Sequence, residues 1–380
     1  MLAATVLMAG AASTQPAVDD ADRYIVVLDN GVDHPSQVAS GLEQRHEDLY
    51  VGYVYDSALE GFSAEIPDSD LAAVRANPQV DYVAPDTRVH AVDQTIPWGI
   101  DKIGADVSST LAGNGSGVVS NVNVYVIDTG IYKKHPDLNV VSFPTNPPNF
   151  AGGKYTDCGE GHGTHVAGVI AAKDNDKGVV GVVPGAPVTS VKVLDCNGGS
   201  VSNVIKGIQW VTENAKKPAV ANLSLSGEEN QALDDAVRAS AASGVFYSVA
   251  AGNDGKNACK FSPARAGAGT NNGVATTAAV RMDREETRWS NYGDCVDLWA
   301  PGKDILSTRN EGGTSKMSGT SLAAPHVGGT AALYLSNNAS ADPGSVEEQL
   351  KADAVRIDDP DTRSKDGTRI KIKFVRADRY

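Results

Sequence analysis

Val122-Asn123-Val124-Tyr125-Val126-Ile127-Asp128-Thr129-Gly130 is the stretch that decides the fold. Its apolar run does not alternate with polar residues, so it reads as a strand covered on both faces, and it ends on a carboxylate at a turn. The pattern recurs at Val188–Leu194, Val220–Leu225 and Val245–Ala250. Between these runs, His165–Ala172, Asn203–Ala215 and Ala232–Ser243 carry helical periodicity, and Ser321–Ser336 and Ser345–Ala352 add two more helices. Buried strands alternating with helices predict an α/β domain, a parallel central sheet with helices on both faces. Functional groups in such sheets gather beyond the carboxyl ends of the strands, where Asp128 stands.

A smaller pattern precedes it. Tyr24–Leu28, Leu49–Tyr55, Phe62–Ile66 and Val80–Val83 read as strands, with helices over Val38–Leu49 and Ser69–Arg75. This is a small α+β unit of ferredoxin-like order. Ala84–Gln94 lacks periodicity and reads as a linker. Met1–Ala12 is a short apolar run followed by small residues, the form of a signal-peptide core, although no basic segment precedes it. It is too short to span a bilayer, and no other stretch approaches that length. The expected divisions are therefore 1–18, 19–92 and 93–380, in a secreted, extracellular chain.

The 380 residues include 41% hydrophobic and 21% charged side chains, the balance of a soluble globular protein. A net charge of −14 argues against nucleic acid or an anionic membrane as partner, since both require basic patches. The four cysteines, Cys158, Cys196, Cys259 and Cys295, can pair in three ways, and none has the spacing of a zinc or redox motif. Behind a signal-like start, an even count points to disulfides.

Three motifs carry chemistry. Asp128 can orient an imidazole from the end of its strand, although a strand-end Asp before Thr-Gly also serves in capping and in nucleotide folds. His162 lies in Gly161-His162-Gly163-Thr164-His165, at the mouth of an apolar helix where small neighbours leave its ring open. Two histidines three apart can bind metal, but the Glu of an HExxH site is missing, and His165 reads as packed behind the site. Ser321, in Gly319-Thr320-Ser321-Leu322-Ala323-Ala324-Pro325-His326, also opens a helix. Its hydroxyl lies near unpaired N–H groups at the positive end of the helix dipole, which suits a nucleophile that builds an oxyanion and equally suits a capping serine.

Each motif alone is ambiguous. Together, in the order Asp, His, Ser, and with Asn253 in Ala250-Ala251-Gly252-Asn253-Asp254-Gly255, they resemble the subtilisin-like serine proteases, or subtilases. The resemblance runs from about Pro97 to Leu335. It implies a serine endopeptidase in which Asp128 orients His162, His162 takes the proton of Ser321, and Asn253 stabilises the oxyanion. No Gly-x-Ser-x-Gly elbow surrounds Ser321, which sets aside an esterase of the α/β-hydrolase type. An intact set of four also sets aside an inert binding module.

The resemblance implies further roles. Gly198, Gly199, Ser224, Leu225 and Ser226 match the edge segments that pair with an extended peptide, with Ser226 in place of the usual glycine, and Phe261 lies near the floor of an apolar S1 pocket. Tyr24–Val83 resembles the family's inhibitory propeptide, whose tail lies through the cleft. Self-cleavage then falls near Val92-Asp93, with Val92 and Val89 in S1 and S4. Gln94, Asp137 and Asn175 side chains with the carbonyls of Lys173, Lys177 and Val179 resemble a structural Ca2+ site, oxygen-only as a hard cation requires. Asp297 is a candidate for a second, weaker one. The cysteines resemble those of aqualysin-like relatives of proteinase K, which implies pairing Cys158 with Cys196 and Cys259 with Cys295. Protein and peptide substrates, the chain's own propeptide as inhibitor, and a monomeric state complete the expectation.

Overall fold

The computed structural model describes residues 23–29, 31–86, 94–142, 148–154, 158–159, 161–269, 271–357 and 372–380. The signal-like start, Val89 and Val92 lie outside them. The chain forms two compact units, up to His90 and from Ala91. In the first, β1 (Arg23–Leu28), α1 (Pro35–Glu43), β2 (Tyr50–Asp56), β3 (Glu60–Glu65), α2 (Asp68–Arg75) and β4 (Val80–Pro85) follow in order. The strands make an antiparallel sheet ordered β2-β3-β1-β4. Val26, Leu42, Leu49, Phe62, Ile66 and Val74 form its core. The first helix sits earlier than its periodicity predicts, because Pro35, with its fixed φ, opens it, and the apolar Leu49 is buried just before β2 instead of ending the helix.

The second unit opens with α3 (Trp98–Ile103), β5 (Asn123–Asp128), β6 (Asn139–Val140), α4 (His162–Ala171), β7 (Pro187–Lys192), α5 (Val201–Asn214) and β8 (Ala219–Leu223). It continues with β9 (Gly227–Glu228), α6 (Gln231–Ala242), β10 (Phe246–Ala250), β11 (Phe261–Ser262), β12 (Val274–Val280), β13 (Leu298–Pro301), β14 (Ile305–Thr308) and β15 (Thr314–Met317). Then come α7 (Thr320–Asn337), α8 (Pro343–Asp353), β16 (Val355–Ile357) and β17 (Ile372–Phe374). The nine-stranded sheet has the order β16-β17-β13-β12-β10-β8-β5-β7-β6 and is parallel throughout except for β16 against β17.

The unbroken apolar runs have a direct cause. Val124 and Val126 of β5 face a core shared with α4 and α7, while Tyr125 and Ile127 face a second core shared with α5 and α6. On β10, Phe246 faces the first core and Tyr247 and Val249 the second. Alternation is thus present in direction but invisible in hydropathy, since both faces are dry. Strands β12 and β13 escape the sequence reading: Val274–Val280 is mostly Ala and Thr, whose small side chains carry little hydropathic signal although every residue is buried, and Leu298–Pro301 is only four residues long.

A charged cluster closes one end of the sheet. Asp297, just before β13, and Glu347 on α8 both bond the Lys351 ammonium, at 3.1 and 2.9 Å. Asp297 Oδ2 also accepts from Thr276 N–H, and Glu347 Oε2 from Asn272 and Gly273 N–H. Burial first, then the neighbouring Glu347, raises Asp297 to a pKa of about 7. Asp297, the candidate for a second metal position, has the chain's own Lys351 ammonium as a partner. Lys351→Met strands two buried carboxylates, and we expect it to cost about 3 kcal/mol in urea unfolding of the mature protein. A loss below about 0.5 kcal/mol, the scale of an exposed pair, would contradict this.

Candidate active site

Asp128 ends β5 and has no exposed surface. Its Oδ1 accepts the Thr129 N–H at 2.6 Å, and its two oxygens face His162 Nδ1 at 2.8 and 3.0 Å. A buried carboxylate with these donors fixes the imidazole with Nδ1–H toward Asp128 and Nε2 directed away. His162 is the first residue of α4, and its side chain keeps 32% of its surface open to the cleft. The Asp128 charge raises the His162 pKa above 6.5, with burial opposing.

The helix mouth around His162 is built by close approach. Gly161 has φ +82°, and a Cβ on it would meet Asn310 Oδ1 at 2.2 Å; a Cβ on Gly163 would meet the Gly130 carbonyl at 2.4 Å. Thr164 Oγ1 accepts from Tyr132 N–H and donates to Asn310 Oδ1, while Asn310 Nδ2 donates to the Gly159 carbonyl. His165 is buried, with Nε2 3.0 Å from the Ser315 carbonyl, and burial lowers its pKa to about 4. It stays neutral and packed, as its motif suggests.

Ser321 is the second residue of α7. Its Oγ–H donates to the Ser224 carbonyl at 3.3 Å, and Ser224 Oγ–H donates to the Ser321 carbonyl at 2.6 Å. Asn222, wholly buried on β8, donates from Nδ2 to Ser224 Oγ at 2.8 Å. Beside it, Asn253 Oδ1 accepts from Thr320 N–H and Oγ1–H at 2.8 and 2.9 Å. The amide is thereby oriented through its oxygen. The loop carrying Asn253 is fastened by Asn291, which donates to the Ala251 carbonyl and accepts from Asp254 and Lys256 N–H. Asn222, Asn291 and Asn310 were not singled out from the sequence, where an isolated Asn carries no signature.

His162, Ser321 and Asn253 line one cleft of about 770 Å3, together with Gly198, Gly199, Ser224, Leu225, Ser226 and Phe261. Leu233, Ala250 and Phe261 supply apolar surface there, and β9 pairs with β11 through Phe261 and Glu228. Ser226 stands over Gly252, its Oγ 2.9 Å from where a Cβ on that glycine would lie.

The oxygen-rich residues downstream also gather. Asp137, buried, accepts from Asn175 Nδ2 at 2.9 Å and Val179 N–H at 3.2 Å, and desolvation raises its pKa. Gln94 Nε2 bonds the Lys173 and Val179 carbonyls at 2.7 and 3.3 Å. Lys177 contributes its N–H to Asn175 Oδ1. Neighbouring Asp174 accepts three backbone N–H groups, from Gly113, Gly115 and Gly117, and so ties this loop to the preceding one. Among the described residues no group of three or more His, Cys, Asp or Glu side chains converges. The donor set at Asp137 is instead one carboxylate with amides and carbonyls, which fits a hard cation once the amide groups turn their oxygens inward.

Cys259 and Cys295 form a disulfide with a Cα–Cα distance of 5.3 Å. Cys158 is half-buried, and Cys196 is exposed on the turn where Asp195 and Gly198 pair.

A strand-end carboxylate, an oriented imidazole and a hydroxyl at a helix mouth, set beyond the carboxyl ends of a parallel sheet, define a serine hydrolase of the subtilisin architecture. Comparison with known proteins makes the assignment: residues 119–369 match the model of the subtilase family and residues 23–91 that of the peptidase inhibitor I9, and the chain belongs to the subtilase family of serine endopeptidases. It is 42% identical to the extracellular serine proteinase of Thermus sp. (strain Rt41A) over 80% of this chain and 73% of that one. It is 37% identical to alkaline serine exoprotease A of Vibrio alginolyticus over 90% of this chain and 66% of that one, just under two thirds of that relative's length. A cold-adapted subtilisin-like serine proteinase of known crystal structure superposes with a TM-score of 0.60 and 36% identity, covering 74% of this chain and 98% of that one. Among the described residues no helix is long and apolar enough to cross a membrane.

With His162 as the proposed base, which must be neutral to accept a proton, kcat/KM is expected to fall as the pH drops through its raised pKa. The acid limb is expected above 6.5 in a pH profile on a neutral peptide; a limb below 6.5 would show that Asp128 does not act on the ring. Asn253→Ala is expected to lower kcat by ~10²–10³ with little change in KM, measured at saturating peptide.

Proposed function

We propose that the chain is a secreted endopeptidase of broad specificity that cuts by way of an acyl-enzyme. The observation that carries this reading is the Asp128–His162 hydrogen bond opening onto the same cleft as Ser321 and Asn253. Ser321 Oγ, rotated from the Ser224 carbonyl toward His162, attacks the scissile carbonyl carbon as its proton passes to His162 Nε2. The oxyanion draws on the Asn253 amide and the Ser321 N–H at the α7 terminus. Collapse expels the amine with the proton from His162, and water releases the acyl group by the same steps in reverse. The apolar floor made by Leu233, Ala250 and Phe261 supports an apolar P1 residue, narrowed at its entrance by Ser226. Gly198–Gly199 and Ser224–Ser226 receive the peptide as an added strand.

The I9-type unit acts as intramolecular inhibitor until the protease removes it near Val92-Asp93, and the mature enzyme works outside the cell as a monomer. Secretion is supported by the printed name of the Thermus relative as extracellular. Gln94, Asp137 and Asn175, with the Lys173, Lys177 and Val179 carbonyls, hold a calcium ion that supplies loop rigidity and no chemistry.

Ser321→Ala is expected to abolish both hydrolysis of a denatured protein and labelling by a fluorophosphonate, while leaving the I9-type unit uncleaved. Turnover retained in that variant would sink the reading. Chelation of the mature enzyme should lower its Tm by several degrees, and Asp137→Asn should remove most of that response; equal melting with and without chelator in the wild type would refute the ion.

A further inference from the structure

We propose that Lys192 is a positioning residue that couples the triad to the substrate edge and tunes His162 through its charge. Lys192 closes β7, in register with Asp128 at the end of β5, and only 1% of it is exposed. A lysine that deep ordinarily meets a carboxylate. Here the hydrogen-bond acceptors of Nζ are two peptide carbonyls, Thr129 at 2.8 Å and Leu194 at 3.0 Å. Thr129 directly follows the catalytic-site Asp128, and Leu194 lines the cleft at the start of the segment that leads to Gly198 and Gly199. The ammonium thus ties the two adjacent strand ends together at the point where one presents the orienting carboxylate and the other begins to pair with substrate. The backbone runs the same tie in parallel, since Val193 N–H and Leu194 N–H both donate to the Asp128 carbonyl.

The charge has its own effect. Asp128 favours the protonated imidazole, and a buried cation on the neighbouring strand, in register with Asp128, is expected to oppose it. The other titratable groups around the ring are His165 on α4, neutral and buried, and Asp195, Cys196, Glu228 and Asp254 at the cleft. These four are exposed and solvated, so they act weakly beside a charge shielded from water.

This inference rests on the triad proposed above, and the test separates the two: Ser321→Ala asks whether the site cuts at all, whereas here every comparison is made on active enzyme. Lys192→Met keeps the stem and loses the charge and both hydrogen bonds. Its acid limb of kcat/KM should move up by about half a pH unit. Its kcat/KM on a peptide filling four or more subsites should fall roughly tenfold further than on a short ester that does not reach Leu194. Maturation and circular dichroism report folding. Should the Met variant not fold, Lys192→Gln, neutral but still a donor, is expected to show the same pH shift, and Lys192→Arg, which keeps the charge, to show none. An unmoved acid limb in a folded neutral variant, or a shifted one in the Arg variant, would overturn the electrostatic role. Equal losses on long and short substrates would overturn the coupling.

Discussion

The contact between Asp128 and His162 is the constraint on which the rest of this site depends. A carboxylate with no exposed surface is costly, and the structure answers it with the Thr129 N–H and an imidazole N–H at 2.6–3.0 Å. Those donors exist only because β5 stops at Asp128, in a sheet packed on both faces, and because α4 begins at His162. The two parent elements come from a topology in which strand ends and helix starts lie on one side of the sheet. Moving either boundary by a single residue would turn the side chain away. The two cores matter to function for that reason: they hold the register of β5 between β7 and β8 rigid, and with it the direction of the carboxylate.

Around that contact, polar side chains do the fine placement. Asn310, Asn291 and Asn222 each bond backbone or side chains of a loop or helix mouth that carries a reactive group, and each is reached from a different element. Asn is suited to this because one side chain both donates and accepts without carrying charge. The helix that carries Ser321 is gripped in the same way from below: Ser248 donates to the Ala324 carbonyl and Ser224 to that of Ser321. Ser321 can therefore sit at a helix N-terminus, with its N–H unpaired and available, without the helix itself being free to shift.

What the sequence disclosed followed how local the signal was. The strands at Val122, Val188, Val220 and Val245 and the helices between them are legible because burial on two faces writes a continuous apolar run, and the proposed triad could be named because each member lies in a distinctive short motif. Strands β12 and β13 are not legible, since small residues pack in β12 without a hydropathic mark and β13 is only four residues long. The metal reading of Asp297 rested on its neighbours in sequence, whereas Lys351 reaches Asp297 from a helix more than fifty residues on. That contact cannot be read from the residues adjacent to the motif. Lys192 is a subtler case, because a lysine ending a strand is ordinarily read as the place where the chain meets solvent.

The buried charges of this protein fall into two kinds, and the difference bears on what each can do. Asp297 and Glu347 share the one Lys351 ammonium and fasten α8 to the sheet, so their value is structural. Asp174 likewise spends both oxygens on three peptide N–H groups. Asp128 and Lys192 are instead placed on neighbouring strand ends, with dipoles and an imidazole as their hydrogen-bond partners. Charges so arranged are not cancelled at short range, and their fields extend into the cleft, where proton transfer is decided. A cation bonded to carbonyls is tolerated in a packed interior because peptide carbonyls beyond a strand end need donors. Lys192 meets that need with a charged donor one strand away from Asp128.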